Sequence, residues 1–312
     1  MNHKKKLFAL MALVFSLGVL MIGCKKKTKE LPKTEPKKEV TSPKKKKEKE
    51  LMSYTSFIFP KSKHSRDSAM AFFTDTYDKS EQHTILALNR LDLKNKWRAD
   101  SLIIPKSIET DFLKYTPFPL EVELLQDVDK IALFSYPLMA YALYEHGKLV
   151  KWGPSSMGTK KAPTKKGLMF TNWKKEVAIS TVDSSWKLRW NFNIHNTLGI
   201  GWHQYDLPGF HASHSCLRLL EEDAKWMYSW ADMWVITPDG SKVVANGTPV
   251  IVYGETDYKT RPWLELVKDP ASNEVSEKEL ADEISPFLED ILSSQENRLK
   301  VRAEREARKK ES

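Results

Sequence analysis

The stretch GIGWHQYDLPGFHASHSCLRLLEEDAKWMY, from Gly199 to Tyr228, decides how the rest of the chain is interpreted. It places three histidines and one cysteine close together: His203, His211, His214 and Cys216. A thiol is a strong nucleophile only as a thiolate, so we expect a neighbouring histidine to lower the pKa of this cysteine. The stretch therefore indicates nucleophilic catalysis, and each histidine is a candidate for the base.

A zinc site is the alternative explanation for such a cluster. His211, His214 and Cys216 are of the residue types that coordinate zinc tetrahedrally. The neighbouring Arg218 argues against it, because a fixed cation disfavours a dication close by. The chain also lacks a glycine-rich phosphate loop or dinucleotide fingerprint, so we expect neither a metal nor an organic cofactor.

The same stretch resembles the signature of the YkuD-type L,D-transpeptidase family, which runs His, a variable loop, then Ser-His-Gly-Cys-x-Arg. Here His203 is followed by a loop and then by SHSCLR, residues 213–218. Upstream, residues 157–170 resemble the family's glycine-then-Thr-Pro-x-Gly segment, and residues 247–250 resemble its closing strand. The resemblance implies a catalytic domain over residues 130–254.

The resemblance also implies roles for individual residues. Cys216 is expected to be the nucleophile and His203 its general base, with His214 kept open as the alternative base. Ser213, His214 and Ser215 are expected to line the oxyanion hole and acyl pocket, with Arg218 nearby. Apart from the resemblance, Trp202 is expected to border the substrate cleft because it adjoins the proposed base, and His211 is expected to face the substrate. Of these, Arg218 could hold a substrate carboxylate with two parallel hydrogen bonds.

Ser215 departs from the family pattern, because glycine usually stands at this position. The residue precedes the nucleophile, where backbone N–H groups would form the oxyanion hole and glycine relaxes the required dihedral angles. A serine fits at this position if its φ is negative. The departure also motivates an alternative, a wall-binding lipoprotein that has kept the fold and lost turnover.

Short β-rich runs surround the motif and predict a mainly β domain. The sequence Glu145-His146-Gly147 separates two such runs and predicts a hairpin turn. Further strands are expected at residues 177–181, 186–194, 234–237 and 248–253, and a helix is expected to open at Glu221. The resemblance implies a YkuD-type β-sandwich with short helices, plus a small α/β N-terminal module and a C-terminal helix.

Residues 51–129 are expected to form a small adapter module. The segment from His83 to Pro105 resembles the second half of a glycan-binding LysM motif, with a helix-like run at 85–88 and a closing strand at 102–104. The alternative is a helical hairpin that packs on the catalytic domain. Glycan contact through residues 83–105 therefore stays open.

Residues 255–312 are expected to be a polar linker and a charged helix. Apolar residues recur at helical spacing in this segment and could pack on the catalytic domain: Leu280, Ile284, Leu288, Ile291 and Leu292. From Arg298 onward most residues are charged, which predicts a solvated helix end or tail.

The amino terminus resembles a lipoprotein export signal. Residues 1–23 place lysines before an apolar run, and Cys24 follows Gly23 as the cysteine of a lipobox does, which implies lipidation of Cys24. Residues 24–50 are expected to be a lysine-rich disordered tether. Residues 1–50 hold 15 lysines and five acids, a net charge of +10, whereas the whole chain has a net charge of +9. The remaining residues therefore carry a net charge of −1, which does not indicate nucleic-acid binding.

Together these features predict a lipid-anchored enzyme of the cell envelope, facing the periplasm or the cell exterior. The resemblance implies that Cys216 attacks a peptidoglycan tetrapeptide stem at its third residue, releases D-alanine and forms a thioester. A second stem would resolve the thioester into a cross-link between third residues. Water as acceptor would give a carboxypeptidase instead, and another protein as acceptor would give a protein-to-wall transferase.

Overall fold

We describe the protein from a computed structural model, in which residues 51–180 and 182–311 are described. The predicted signal peptide, Cys24 lipidation site and tether lie outside these residues. Within them, no helix combines the length and the apolar character needed to cross a membrane.

The N-terminal module has the order β-α-α-β. Its elements are β1 (Tyr54–Ile58), α1 (Lys63–Thr76), α2 (Lys79–Leu88) and β2 (Ser101–Pro105), and the two strands pair antiparallel. Helix α2 begins at a capping box in which the Asp78 side chain accepts from the Glu81 backbone and the Glu81 side chain reaches back. The predicted helix at 85–88 and strand at 102–104 are therefore present, and they belong to one small sheet-and-helix unit.

The catalytic region consists mainly of strands. They are β3 (Ile131–Ser135), β4 (Ala140–Glu145), β5 (Lys148–Pro154), β6 (Gly167–Phe170), β7 (Lys174–Ile179), β8 (Lys187–His195), β9 (Ile200–Gln204), β10 (Leu217–Leu219), β11 (Val235–Ile236), β12 (Val243–Ala245) and β13 (Pro249–Tyr253), with α3 (Glu221–Trp230) after β10. One sheet has the order β5-β4-β3-β13-β6 and a second has the order β10-β9-β8-β7. The expected mainly β fold is confirmed.

The predicted hairpin joins β4 to β5. His146 has φ 47° and Gly147 has φ 73°, so both central residues of the turn are left-handed. Two positive φ values are the mark of the tight turns that match the twist of paired strands. The predicted hairpin turn at Glu145-His146-Gly147 is therefore confirmed.

The five-stranded sheet lies at the centre of the domain, because both of its faces are covered. One face, with Phe134 and Tyr141, packs against apolar residues of the four-stranded sheet and α3. The opposite face, with Leu133 and Ala142, packs against the N-terminal module and the C-terminal helices. Burial on both faces explains why all five residues of β3 are buried and why all but Ser135 are apolar.

The C-terminal segment folds back as two helices, α4 (Glu277–Ile284) and α5 (Leu288–Glu311). A short 3-10 turn that contains Pro286 separates them, since proline cannot continue the hydrogen-bond ladder of a helix. Leu280, Ile284 and Ile291 are fully buried against the central sheet. The predicted apolar stripe is thus confirmed as a packing surface.

Arg298 corrects the expectation of a solvated helix end. Its side chain is 0% exposed, and its Nη2 donates to both carboxylate oxygens of Asp129 at 2.9 and 2.8 Å. Its Nη1 donates to the carbonyl of Gly247 at 2.7 Å. A helix of charged residues can still bury one arginine where a carboxylate and a carbonyl accept from its two terminal nitrogens, so Arg298 attaches α5 to the sheet domain.

Candidate active site

A cleft of about 750 Å³ opens over one face of the four-stranded sheet. Five of the predicted site residues line it: His203, Ser213, His214, Cys216 and Arg218. Aromatic and amide side chains complete much of its surface: Trp173, Trp186, Asn191, Asn193 and Tyr205. The structure therefore brings the predicted nucleophile, both candidate bases and the predicted carboxylate-binding arginine to one site.

Strand register explains why these residues meet. Strands β9 and β10 are parallel neighbours, and His203 and Arg218 are Cα partners. Side chains alternate along a strand, so Arg218 faces the cleft that Cys216, directly before β10, also lines. Leu217 and Leu219 point the other way and are buried in the core.

The Cys216 thiol is only partly exposed, and its Sγ lies 3.8 Å from the carbonyl oxygen of Gly199. Burial raises the pKa of Cys216 above its ordinary value, against the smaller opposing effects of the Gly201 backbone and the Arg218 charge. A Cβ on Gly201 would lie 2.6 Å from the Phe192 carbonyl oxygen, so glycine is needed beneath the thiol. The expected lowering of the thiol pKa is wrong for the resting site.

His203 lines the same cleft as this thiol and is buried, with 3% of its surface exposed. Its Nδ1 lies 3.0 Å from the Gln204 carbonyl, which fixes the proton on Nδ1 and leaves Nε2 as an acceptor. Burial lowers the pKa of His203 to about 4, and the positive charge of Arg218 contributes in the same direction. The resting pair is thus a neutral imidazole and a neutral thiol, the protonation state that general-base catalysis requires.

His214 lies at the rim of the cleft and is exposed. Its ring packs against Trp186, with centroids 5.2 Å apart. Unlike His203, it has no hydrogen bond to a described residue that would fix its tautomer. The geometry favours His203 as the base, and the role of His214 stays a prediction.

Ser215 adopts a left-handed backbone, with φ 83°. The condition of a negative φ is therefore not met, and the serine occupies the conformation for which glycine is suited. Its Oγ lies 3.3 Å from the carbonyl oxygen of Ala162. In the described parts of the chain, the N–H groups of His214, Ser215 and Cys216 donate to no carbonyl, which leaves them available to an oxyanion.

Arg218 is held at the edge of the cleft by the loop that follows β9. Its Nη1 donates to the carbonyl oxygen of Asp206 at 3.3 Å, and its guanidinium carbon lies 4.5 Å from the centroid of the Tyr205 ring. Stacking and hydrogen bonding together orient its remaining donors. This is the position from which it could reach a carboxylate in the cleft.

Trp202 does not line the cleft. Its ring is fully buried between Phe134 and Phe192, at centroid distances of 6.3 and 5.2 Å. The residue precedes His203 on the same strand, so the two side chains point to opposite faces. The expectation that Trp202 borders the substrate site is corrected on this ground.

His211 also lies outside the cleft. Its Nδ1 accepts from the Met157 backbone at 3.1 Å, and its Nε2 lies 3.0 Å from the Tyr136 carbonyl oxygen. Both ring nitrogens are thus occupied, and burial lowers the pKa of His211 to about 4. The geometry assigns it to holding the loop before Cys216, in contrast to the expected substrate contact.

Several residues of the cleft were not singled out from the sequence. Asn191 and Asn193 alternate with core residues Phe192 and Ile194 along β8, and this polar–apolar alternation is the signal that could have found them. Trp173 and Trp186 also line the cleft. Among the described residues, no group of three or more histidine, cysteine or acidic side chains is arranged to hold a metal ion.

Comparison with known proteins identifies the domain around this cleft. The family model of the YkuD L,D-transpeptidase catalytic domain matches residues 130–252. No curated protein matches the chain.

Solved structures resemble the chain over a similar portion of its length. An L,D-transpeptidase from Stackebrandtia nassauensis is 21% identical, with 42% of this chain and 58% of that chain covered and a TM-score of 0.34. An L,D-transpeptidase from Mycobacterium smegmatis is 21% identical over 41% and 59% of the two chains, with a TM-score of 0.32. One from Xylanimonas cellulosilytica is 18% identical over 48% and 71%, with a TM-score of 0.34.

The matches to the Stackebrandtia and Mycobacterium chains therefore span less than two thirds of those chains. The family match contains His203 on β9, Cys216 directly before β10, and the five-stranded sheet except for Tyr253, the last residue of β13. Residues 130–252, which contain this cleft, are thus similar to the YkuD family of L,D-transpeptidase catalytic domains, whose model they match.

Proposed function

We propose that this protein is a cysteine-dependent L,D-transpeptidase that acts on the peptide stems of peptidoglycan. The observation that carries the proposal is that His203, Cys216 and Arg218 line one cleft. His203 and Arg218 are partners on two parallel strands, and Cys216 lies directly before the second of these strands. A buried neutral histidine with a free Nε2 beside a protonated thiol is suited to attack on an amide carbonyl.

The acylation step uses only groups in the cleft. His203 Nε2 takes the thiol proton of Cys216 as Sγ bonds to the carbonyl carbon of the third stem residue. The N–H groups of Ser215 and Cys216 stabilise the oxyanion of the tetrahedral intermediate. The bond between that carbon and the nitrogen of D-alanine then breaks, the proton passes from His203 to the leaving amine, and a thioester remains.

Deacylation reverses the proton movements. The side-chain amine of a second stem attacks the thioester and gives its proton to His203, which returns it to the departing sulfur. The product is a cross-link between two third residues. Water in place of the amine gives a tripeptide, and an amine on another protein gives a protein attached to the wall.

Arg218 supports this chemistry through its charge. It favours the thiolate of Cys216 and disfavours the protonated form of His203. Its donors would also pair with a carboxylate of the stem. These effects support a role in both substrate binding and thiol activation.

A non-catalytic protein that binds wall stems is the second candidate, and Ser215 is the observation that favours it. A serine with φ 83° beside the nucleophile costs backbone free energy of about 1–2 kcal/mol, which glycine would avoid. An enzyme can retain such strain where the surrounding structure holds it. Activity measurements decide between the two candidates.

The experiment is product analysis by mass spectrometry after incubation with disaccharide-tetrapeptide fragments. The protein is compared with Cys216→Ala and with Cys216→Ser, which keeps the size of the side chain. Dimers linked between third residues, absent with both variants, support the transpeptidase. Tripeptides alone support a carboxypeptidase, and stem binding with no new product from the unaltered protein supports the non-catalytic candidate.

The location of the protein forms a separate part of the proposal. Residues 1–24 are proposed to direct export and lipidation at Cys24, and the β-α-α-β module is proposed to contact glycan. Metabolic labelling with a fatty acid, lost in a Cys24→Ala variant, tests the anchor. Cosedimentation of the protein with purified glycan strands that lack stems tests the module.

A further inference from the structure

The N-terminal module is joined directly to the loop between His203 and Cys216. We call residues 205–209 of this loop the docked loop. Leu91 pairs with Pro208 in an antiparallel bridge, the Asp92 N–H donates to the Leu207 carbonyl at 3.1 Å, and the Gly209 N–H donates to the Arg90 carbonyl at 3.0 Å. The module therefore extends the backbone hydrogen bonding of the active-site region.

The Asp92 carboxylate makes the shortest of these contacts. Its Oδ2 accepts from the Leu207 N–H at 2.6 Å, and its Oδ1 accepts from the backbone and side-chain amides of Asn95 at 2.8 and 2.9 Å. Ionised acceptors form stronger hydrogen bonds than neutral ones, and the Asn95 contacts fix the carboxylate in place. Asp92 thus joins the module to the docked loop from both backbone and side chain.

Packing and a second ion pair support the same junction. The Leu207 side chain is fully buried and clusters with Ala87 of α2. Lys94, also from the module, lies 2.9 Å from the Asp206 carboxylate. That pair is exposed, so we expect it to contribute less than the Asp92 contact.

The docked loop in turn holds Arg218. The carbonyl oxygen of Asp206, next to the residue that Asp92 binds, accepts from Arg218 Nη1 at 3.3 Å. Tyr205, at the start of the loop, supplies the ring under the guanidinium. Displacement of this loop would therefore move both contacts that orient Arg218.

We propose that Asp92 is a positioning residue of the active site, which acts through the docked loop to hold Arg218 beside Cys216 and His203. The N-terminal module is then a structural part of the catalytic centre in addition to any role in wall contact. The effect on turnover rests on the proposed function, whereas the effect on the thiol does not. Small displacements of a catalytic group are costly: about 1 Å can reduce a rate by ~10²-fold.

The test measures the pH dependence of Cys216 alkylation by iodoacetamide, followed by mass spectrometry of the peptide that contains Cys216. In Asp92→Ala we expect the titration midpoint of the thiol to move to higher pH, because Arg218 favours the thiolate less from a looser position. We also expect kcat on stems to fall by roughly tenfold or more. Asp92→Asn keeps only part of the acceptor set and should fall between the two proteins.

Asp78→Ala is the matched control. Its carboxylate caps helix α2 of the module and accepts from the N–H groups of Ser80 and Glu81. The described residues show no contact from it to the docked loop. This variant should lower Tm while leaving the alkylation profile unchanged. If Asp92→Ala does not fold, the milder Asp92→Asn substitution decides.

An unchanged alkylation profile in folded Asp92→Ala and Asp92→Asn would overturn the proposal. An equal shift in Asp92→Ala and Asp78→Ala would also overturn it, because the effect would then be general destabilisation. A shift confined to the Asp92 variants supports the positioning role even when the unaltered protein forms no product from stems, and the two failures are thereby distinguished.

Discussion

His203 and Arg218 are Cα partners on adjacent parallel strands, so a fixed positive charge stands beside the proposed general base. This charge lowers the pKa of both His203 and Cys216, although burial has the larger effect on each. Burial opposes the charged form of both groups, which keeps the imidazole and the thiol neutral. We therefore expect the Cys216 proton to pass to His203 at the moment of attack, without a preformed thiolate–imidazolium pair.

Replacement of each cleft histidine separates the two candidate bases. His203→Gln should reduce kcat/KM on tetrapeptide stems by about 10² or more, since it removes the proton acceptor. His214→Gln should change kcat much less, because this side chain is exposed at the rim. Steady-state kinetics checks both, and a larger loss from His214→Gln would contradict the assignment of His203.

The pH dependence of kcat/KM follows from the lowered pKa of His203. The imidazole becomes protonated only as pH falls towards about 4, so the acidic limb should lie well below the ordinary histidine pKa of 6.5. The raised pKa of Cys216 keeps the thiol protonated at neutral pH, so iodoacetamide alkylation should accelerate as pH rises beyond 9. An acidic limb near 6.5, or a thiol that titrates below its ordinary value, would refute the neutral pair.

Ser215→Gly should relieve the left-handed backbone at the nucleophile. Relief of about 1–2 kcal/mol is partly offset by the greater freedom of glycine in the unfolded chain, so a gain of up to about 1 kcal/mol is expected. Chemical denaturation measures this difference. Ser215→Ala, which keeps the Cβ, is the control and should give no comparable gain, and equal effects from the two variants would argue against backbone strain.

Two tryptophans predict opposite outcomes. Trp202→Ala should lower the free energy of unfolding by about 3–5 kcal/mol, because it empties a fully buried site between two phenylalanines. Trp186→Ala should leave stability within about 1 kcal/mol and change KM for stems, because this ring lines the cleft. Denaturation and kinetics on both variants would contradict this placement if the effects were reversed.

Arg298 should stabilise the attachment of α5. Asp129→Ala removes the carboxylate that accepts from Arg298 Nη2 and leaves the buried guanidinium only Asp232, at 3.8 Å, so it should cost about 3 kcal/mol or more. The control is Arg302→Ala, which breaks a more exposed pair with Asp232 and should cost less than about 1 kcal/mol. Equal shifts in Tm for the two variants would show that burial of Arg298 contributes little.

The sequence predicts the strands and the chemical motif well where local signals are strong. The hairpin around His146 and the helix that carries Leu280 and Ile284 follow from turn chemistry and periodicity. The alternation of side chains along a strand also predicts that Trp202 and His203 point to opposite faces. The expectation that Trp202 borders the cleft relied instead on its being adjacent to His203 in the sequence. The period of two is the better guide there.

Other features depend on contacts between distant segments. The burial of Arg298 requires Asp129, and the occupied ring nitrogens of His211 require Met157 and Tyr136. The raised pKa of Cys216 likewise results from burial of the thiol in the folded chain, which the motif alone does not predict. These features arise from tertiary packing, so local patterns do not predict them.

Formation of a thioester on Cys216 tests the central claim most directly. The protein is mixed with disaccharide-tetrapeptide, quenched with acid at short times and examined by intact and peptide mass spectrometry. The account predicts a transient adduct with the mass of the donor less D-alanine, located on the peptide containing Cys216 and absent from Cys216→Ala. Release of D-alanine that persists in Cys216→Ala, or an adduct on another residue, would contradict it.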